Sequence, residues 1–381
     1  MHEKARGSFL FLEFLSAVLL NALACAAQPA VHRVSAVPAV MPLSMSTGGR
    51  MLAMPSPVAN SFGGKDYKHQ WPGAYFRAAF EGTAVFFRIV RGDEILHIVV
   101  DRQPALELIK PEAGVYEVDG LDNSRHTIGV FVATEEMGAP NRFGGFAIPS
   151  DGKALKLPPR RRQIEFIGDS HTVGYGDLST KRECTREEIF TDTDDTKALG
   201  AMTAAHYDAD YQINAISGRG VVRNYGGWSG DTLPRVYPYV LFYEKQKYMD
   251  PAWKPQIIVI ALGTNDFSTL LNPGERWKTR DELHTDYEAS YLAFLKKLRA
   301  RNPHAYFIVW ATDIGGGEID AEAQKVVWQL IKSGDNNVTF LPVHGLSFGG
   351  CDWHPSVADQ KIISDKLVEL IDADKQAWQK P

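Results

Sequence analysis

The 381-residue chain has no dense basic patch, and its net charge is −5, which excludes a general nucleic-acid binder. It also lacks a hydrophobic run suited to crossing a membrane. Its most apolar stretch, residues 9–20, is broken by Glu13 and Ser16 and falls short of the roughly 20 residues a spanning helix needs. No self-similarity of solenoid period is visible. Cysteine is scarce: only Cys25, Cys184 and Cys351. What remains is a soluble globular composition, 44% hydrophobic and 23% charged, with length enough for two ordinary domains.

The first 27 residues have an organisation of their own. His2, Lys4 and Arg6 precede the apolar stretch, and Ala22-Leu23-Ala24-Cys25-Ala26-Ala27 follows it. A basic start, a short apolar core and small residues are the layout of a secretory signal. Residues 1–26 are therefore expected to be a signal peptide and the protein exported, periplasmic or extracellular. Cleavage after Ala24 or Ala26 fits. A lipid anchor at Cys25 is the less favoured alternative, because Ala22-Leu23-Ala24 matches a lipoprotein signal poorly.

Residues 27–65, rich in Ala, Pro, Ser, Met and Gly without sustained periodicity, read as a flexible leader. Short runs rich in aromatic and β-branched residues follow at 75–80, 84–90, 96–100, 106–108, 115–118, 126–132 and 143–148. Turn residues such as Gly82, Gly92-Asp93 and Asp101 separate them. That spacing predicts a β-sandwich over 66–150. Residues 151–163, DGKALKLPPRRRQ, read as a linker. Beyond it strands alternate with helices to residue 373: strands at 164–167, 211–216, 256–262, 305–311 and 338–343, and helices at 195–208, 281–301, 319–333 and 357–372. Alternation of this kind implies a parallel sheet with helices on both faces.

In open α/β sheets functional groups gather where strands end at their carboxyl edges. The ends here carry Gly168-Asp169-Ser170, then Ser217-Gly218-Arg219-Gly220, then Gly263-Thr264-Asn265-Asp266. A late loop adds Cys351-Asp352-Trp353-His354-Pro355. The set suits acyl transfer. A serine hydroxyl is a weak nucleophile until a base takes its proton, and His354 can be that base. The oxyanion of the tetrahedral intermediate needs fixed donors. Ser170 and Gly218 can offer backbone N–H groups, and Asn265 a side-chain one. Gly220 is the alternative to Gly218. Taken alone, Ser170 reads equally well as a helix N-cap. His171 is read as cleft lining, and Asp169 and Asp266 as loop-bonding groups. Asp192, Asp194 and Asp195 lack the glycine and distal glutamate of an EF-hand, so they read as a solvated helix start.

GDS, SGRG, GTND and DWHP, in that order, resemble the four blocks of the SGNH (GDSL-type) hydrolases over residues 163–373. With a sandwich ahead of them, GDSHTVGYG, SGRGVVRN and GGCDWHP are more narrowly similar to carbohydrate esterase family 2, whose members remove acetyl groups from plant polysaccharides. The resemblance implies a flavodoxin-like α/β domain behind a jelly-roll-like sandwich. It implies a deacetylase needing no metal or other cofactor, acting on an acetylated polysaccharide or oligosaccharide. Ser170 would be its nucleophile, His354 its base, and Ser170, Gly218 and Asn265 its oxyanion donors. A lipase or arylesterase of the same fold, and a glycan-binding protein without activity, are the alternatives.

One departure stands out. The usual SGNH acid lies three residues before the histidine, where this chain has Cys351; Asp352 lies two before. Asp352 is expected to reach His354 as a triad acid. The alternative is a Ser–His dyad steered by a backbone carbonyl. Cys184 and Cys351 both fall in loops at this edge and are expected to form a disulfide joining the nucleophile loop to the base loop. Tyr175, Trp228 and Trp353 are candidate sugar platforms.

Overall fold

Alternating apolar and polar positions build the N-terminal half. Val85, Phe87 and Ile89 of the strand Val85–Arg91 face Phe76, Ala78 and Phe80 of Tyr75–Gly82 and Ile128, Val130 and Val132 of Ser124–Val132. The first strand belongs to a seven-stranded sheet and the other two to a six-stranded one, so one core lies between two antiparallel layers. In this computed structural model residues 29–58 and 62–378 are described. The expected signal peptide and Cys25 lie outside the described residues. No described helix is long and apolar enough to cross a membrane.

The expected leader over 27–65 is a correction. Ala30–Val34, Val40–Pro42, Met45–Gly48 and Met51–Pro55 are strands of the two sheets. They join at edges or as partial partners of longer strands. Peripheral strands of three to five residues need no continuous apolar run, so periodicity does not reveal them. Pro42 and Pro55 stand last in their strands, where a missing N–H is tolerated. Likewise Lys153–Leu155, inside the expected linker, pairs with Tyr75–Gly82.

The C-terminal half holds a five-stranded parallel sheet in the order Asp210–Ala215, Gln163–Gly168, Ile257–Ile260, Tyr306–Thr312, Val338–Val343. In chain order this is 2-1-3-4-5, the flavodoxin-like arrangement. The inner strands are buried on both faces, which explains their continuous apolar runs. Helices Arg280–Arg301 and Glu318–Lys332 cover one face through Tyr287, Tyr291, Leu295, Val326 and Val327. Leu199–His206 and Val357–Ala373 cover the other through Leu199, Ile363 and Leu367. The helix expected over 195–208 is split into a short 3₁₀ turn, Asp195–Lys197, and Leu199–His206. Nor are its first acids solvated: Asp194 and Asp195 are buried. Asp194 caps the turn through the Thr196 N–H, 3.0 Å away.

Several bonds fix the sandwich to the sheet. Asp195 accepts the Gly73 N–H at 2.9 Å, and the Tyr75 hydroxyl donates to Asp210 at 2.8 Å. Arg50 is buried against Glu165 of the first parallel strand, 3.3 Å away. The guanidinium also lies over the rings of Trp71, Tyr237 and Tyr248. Removing one partner of such a buried pair costs about 3–5 kcal/mol, so the two halves are held in one relation.

Candidate active site

The strand Gln163–Gly168 delivers Ser170 to the carboxyl edge of the sheet. Asp169, not Ser170, caps the turn that follows: its Oδ1 accepts the His171 N–H at 3.1 Å. Ser170 is thereby the first residue of the short helix Ser170–Val173. Its backbone N–H has no partner among the described residues, as expected at a helix start.

His354 Nε2 lies 2.9 Å from Ser170 Oγ. Nδ1 of the same ring lies 2.9 Å from the Cys351 carbonyl oxygen. A carbonyl can only accept, so Nδ1 carries the proton and Nε2 is left as acceptor for the serine hydroxyl. Burial lowers the His354 pKa, against the opposing pull of the Cys351 carbonyl and the Asp352 charge. The ring is neutral near pH 7 and free to take a proton. His171 is no competitor: burial pushes it down to about 3, and its ring, 5.5 Å from that of His354, is buried rather than exposed in a cleft.

Asp352 does not fill the expected role of triad acid. Its Oδ2 accepts the Tyr175 hydroxyl at 3.2 Å, and no hydrogen bond links the carboxylate to His354. The reason is local. Asp352 and Trp353 occupy left-handed backbone, φ 50° and 57°, in the turn Cys351–Trp353. That turn aims a main-chain carbonyl at the imidazole and the aspartate elsewhere. Tyr175 completes the arrangement, its ring centroid 4.3 Å from that of His354.

Cys184 and Cys351 are joined, with Cα atoms 5.5 Å apart. The bond ties the residue whose carbonyl meets His354 Nδ1 to the loop that follows Ser170. The Cys351 N–H donates to the Gly176 carbonyl at 3.1 Å and the Asp352 N–H to that of Arg182 at 2.6 Å. A Cβ at Gly176 would stand 2.3 Å from Cys351 Cβ, so only glycine permits this approach. Cys184, Cys351 and Asp192 form the one metal-ligand grouping among the described residues, and both its sulfurs are spent in the disulfide.

The donor positions separate clearly. Gly218 sits at φ 78° with open space where a side chain would be, and its N–H has no partner among the described residues. The Gly220 N–H is already given to Asn224 Oδ1 at 3.2 Å. Gly218 is therefore the available donor. Asn265 Nδ2 lies within bonding distance of Asp169 Oδ2, 3.1 Å, and of the Arg219 carbonyl, 3.0 Å. It meets an oxyanion only by sharing one of these hydrogens. Asp266 is a loop anchor, accepting the N–H groups of Val221, Val222 and Arg223 at 2.8–2.9 Å. Burial pushes the Asp169 carboxyl up to about 7 and that of Asp266 up to about 6.

The three aromatic candidates fare differently. Trp353 is 53% exposed beside the base, which leaves an open indole face. One face of Tyr175 is taken by His354. Trp228 stacks against the Arg219 guanidinium, 4.1 Å away, and lines a cavity of about 830 Å³ that includes neither Ser170 nor His354. Sequence reasoning missed two contacts: the Tyr175–Asp352 bond and a carboxylate from the sandwich, Glu135, on the Ser217 N–H. Only the cysteine in the acid's usual place hinted at the first; nothing local hinted at the second.

Comparison with known proteins agrees with this architecture. Residues 62–158 match the carbohydrate esterase 2 N-terminal family, and residues 166–362 the GDSL-like lipase/acylhydrolase family. An acetylxylan esterase/glucomannan deacetylase of Cellvibrio japonicus is 44% identical over 338 residues, 88% of this chain and 93% of that protein. A solved carbohydrate esterase, described as having divergent catalytic and non-catalytic binding functions at its active site, superposes with a TM-score of 0.83. It is 43% identical, over 88% of this chain and 99% of its own. A family-two carbohydrate esterase from Clostridium thermocellum, solved with cellohexaose, has a TM-score of 0.74 and 29% identity, over 88% and 100% of the two chains.

Proposed function

Since the chain belongs to carbohydrate esterase family 2 and is a carboxylic ester hydrolase, we propose that it is an exported enzyme removing O-acetyl groups from plant polysaccharides or their oligosaccharides through an acyl-serine intermediate. The observation that carries this reading is the 2.9 Å contact of His354 Nε2 with Ser170 Oγ, together with the Ser170 and Gly218 N–H groups that have no partner among the described residues. Ser170 Oγ attacks the acetyl carbonyl while His354 takes its proton. The oxyanion rests on the Ser170 and Gly218 N–H groups, with Asn265 sharing a hydrogen. Collapse expels the sugar alkoxide, which receives the proton from His354. Water, deprotonated by the same imidazole, attacks the acyl carbonyl; the carbonyl carbon–Oγ bond breaks, His354 returns the proton to Ser170 Oγ, and acetate leaves. The exposed Trp353 offers a platform for a sugar ring. The relatives named for xylan and glucomannan, and the one solved with cellohexaose, support a polysaccharide chain in the cleft. The basic start and apolar core of residues 1–26 support export.

Acetate release from acetylated xylan and glucomannan, set against hydrolysis of acetyl, butyryl and octanoyl nitrophenyl esters, tests the reading. Acetate release with a preference for acetyl is the expected result. A preference for the octanoyl ester would favour a lipase instead.

The dyad has its own test. Neutralising a triad acid costs about 10⁴-fold in kcat. Asp352 makes no bond to His354, so Asp352→Asn is expected to cost less than about tenfold. The Asp352 charge raises the His354 pKa, so its removal lowers that pKa and moves the acid limb of kcat/KM to lower pH. A 10⁴-fold loss would restore Asp352 to the triad.

A further inference from the structure

The oxyanion loop of the hydrolase half is gripped from outside that half. Past its strand Ser124–Val132, the sandwich chain meets the hydrolase half, including the loop that follows the parallel strand Asp210–Ala215. The Asp195 N–H donates to the Ala133 carbonyl there at 2.7 Å. Two residues on, Glu135 Oε1 accepts the Ser217 N–H at 2.7 Å. Ser217 directly precedes Gly218, whose N–H is free for the oxyanion.

Gly218 has no side chain to fix its peptide, and nothing lies within 4 Å of where a Cβ would be. Its orientation depends on backbone bonds to either side. Downstream, the Tyr225 N–H holds the Gly218 carbonyl at 2.9 Å and Asn224 holds the Gly220 N–H at 3.2 Å. Upstream, the side chain on Ser217 N–H is that of Glu135. Resting on the esterase reading above, we propose that Glu135 is a positioning residue: it holds the Ile216–Ser217 peptide, and through it the orientation of the next peptide, so that the Gly218 N–H points at the developing oxyanion. The sandwich thus supplies part of the precision of the reaction.

The surroundings of Glu135 suit a fixed acceptor. Arg219 faces it with positive charge, and Glu136, Asp195 and Tyr175 with negative or phenolic groups. Burial pushes its carboxyl up to about 7, while the bonds to Ser217 pull it down. Protonated or not, the group keeps an oxygen able to accept the Ser217 N–H. A glutamine keeps one too.

The test measures kcat and KM of the full-length enzyme on nitrophenyl acetate, with melting temperature as the check on folding. Displacing a catalytic group by about 1 Å costs up to about 10²-fold. Glu135→Ala is therefore expected to lower kcat about tenfold to a hundredfold, with KM within about twofold. Glu135→Gln is expected to recover most of the loss. Glu135→Asp, which keeps the charge but withdraws the oxygen from Ser217, is expected to behave like alanine, and it decides the matter if the alanine variant does not fold. The inference is overturned by an unchanged kcat in the alanine and aspartate variants, by a loss confined to KM, or by a glutamine variant as impaired as alanine. A wild-type enzyme inactive on every acetate ester would instead defeat the esterase reading itself.

Discussion

Ser170→Ala and His354→Ala are each expected to lower kcat on an acetate ester by on the order of 10⁶-fold, and the double variant by no more than either one alone. The argument is geometric. With His354 Nε2 2.9 Å from Ser170 Oγ, the two side chains act as one unit. The hydroxyl without the imidazole is a poor nucleophile, and the imidazole without the hydroxyl has no proton to move. Loss of one therefore removes what the other contributes. The backbone N–H groups of residues 170 and 218, which have no partner among the described residues, are kept in each variant. A residual acceleration of about 10³–10⁴ over water is the corresponding expectation. Steady-state rates for the two single variants and the double variant decide it. Penalties that add would show that Ser170 and His354 work in separate steps, and the acyl-serine scheme would have to be abandoned.

The parts of this site that the sequence makes legible are those fixed by short-range chemistry. A strand of apolar residues ending in Gly168-Asp169-Ser170 has few outcomes, because a small, polar turn at a carboxyl edge exposes whatever follows it. The same holds for the loops at Gly218 and Asn265. The parallel sheet with helices on both faces follows from uninterrupted runs such as Ile257–Ile260, which only a strand covered on both faces requires. What stayed hidden depends on direction or on distance along the chain. Asp352 stands at a plausible spacing, but two successive left-handed residues turn its carboxylate toward Tyr175. Backbone angles of that kind leave no mark when the residues are Asp and Trp rather than Gly. Glu135 meets Ser217 from 82 positions away, across two domains. The edge strands within 30–55 escaped because a strand with one partner and a wet face needs little apolar content.

Asn265→Ala is expected to lower kcat on a small acetate ester about 10²-fold, with KM nearly unchanged. Losing one oxyanion donor typically costs about 10²–10³-fold, and two features of Asn265 place the expectation at the lower end. Its two amide hydrogens already meet Asp169 Oδ2 and the Arg219 carbonyl, so the oxyanion receives a shared bond rather than a dedicated one. In the proposed scheme the Ser170 and Gly218 N–H groups, which have no described partner, carry the larger part. A second effect separates this variant from a simple donor loss. Asp169 is buried and its carboxyl already raised to about 7, with the Asn265 bond pulling it down. Without Asn265 that carboxyl rises further and Asp169 Oδ2 loses a donor. An unsatisfied buried acceptor costs about 1–3 kcal/mol. The melting temperature should fall together with kcat, whereas Ser170→Ala should leave it nearly unchanged. A kcat within about threefold of wild type, in an enzyme of lowered melting temperature, would assign Asn265 to holding Asp169 alone and leave the oxyanion to the two backbone donors.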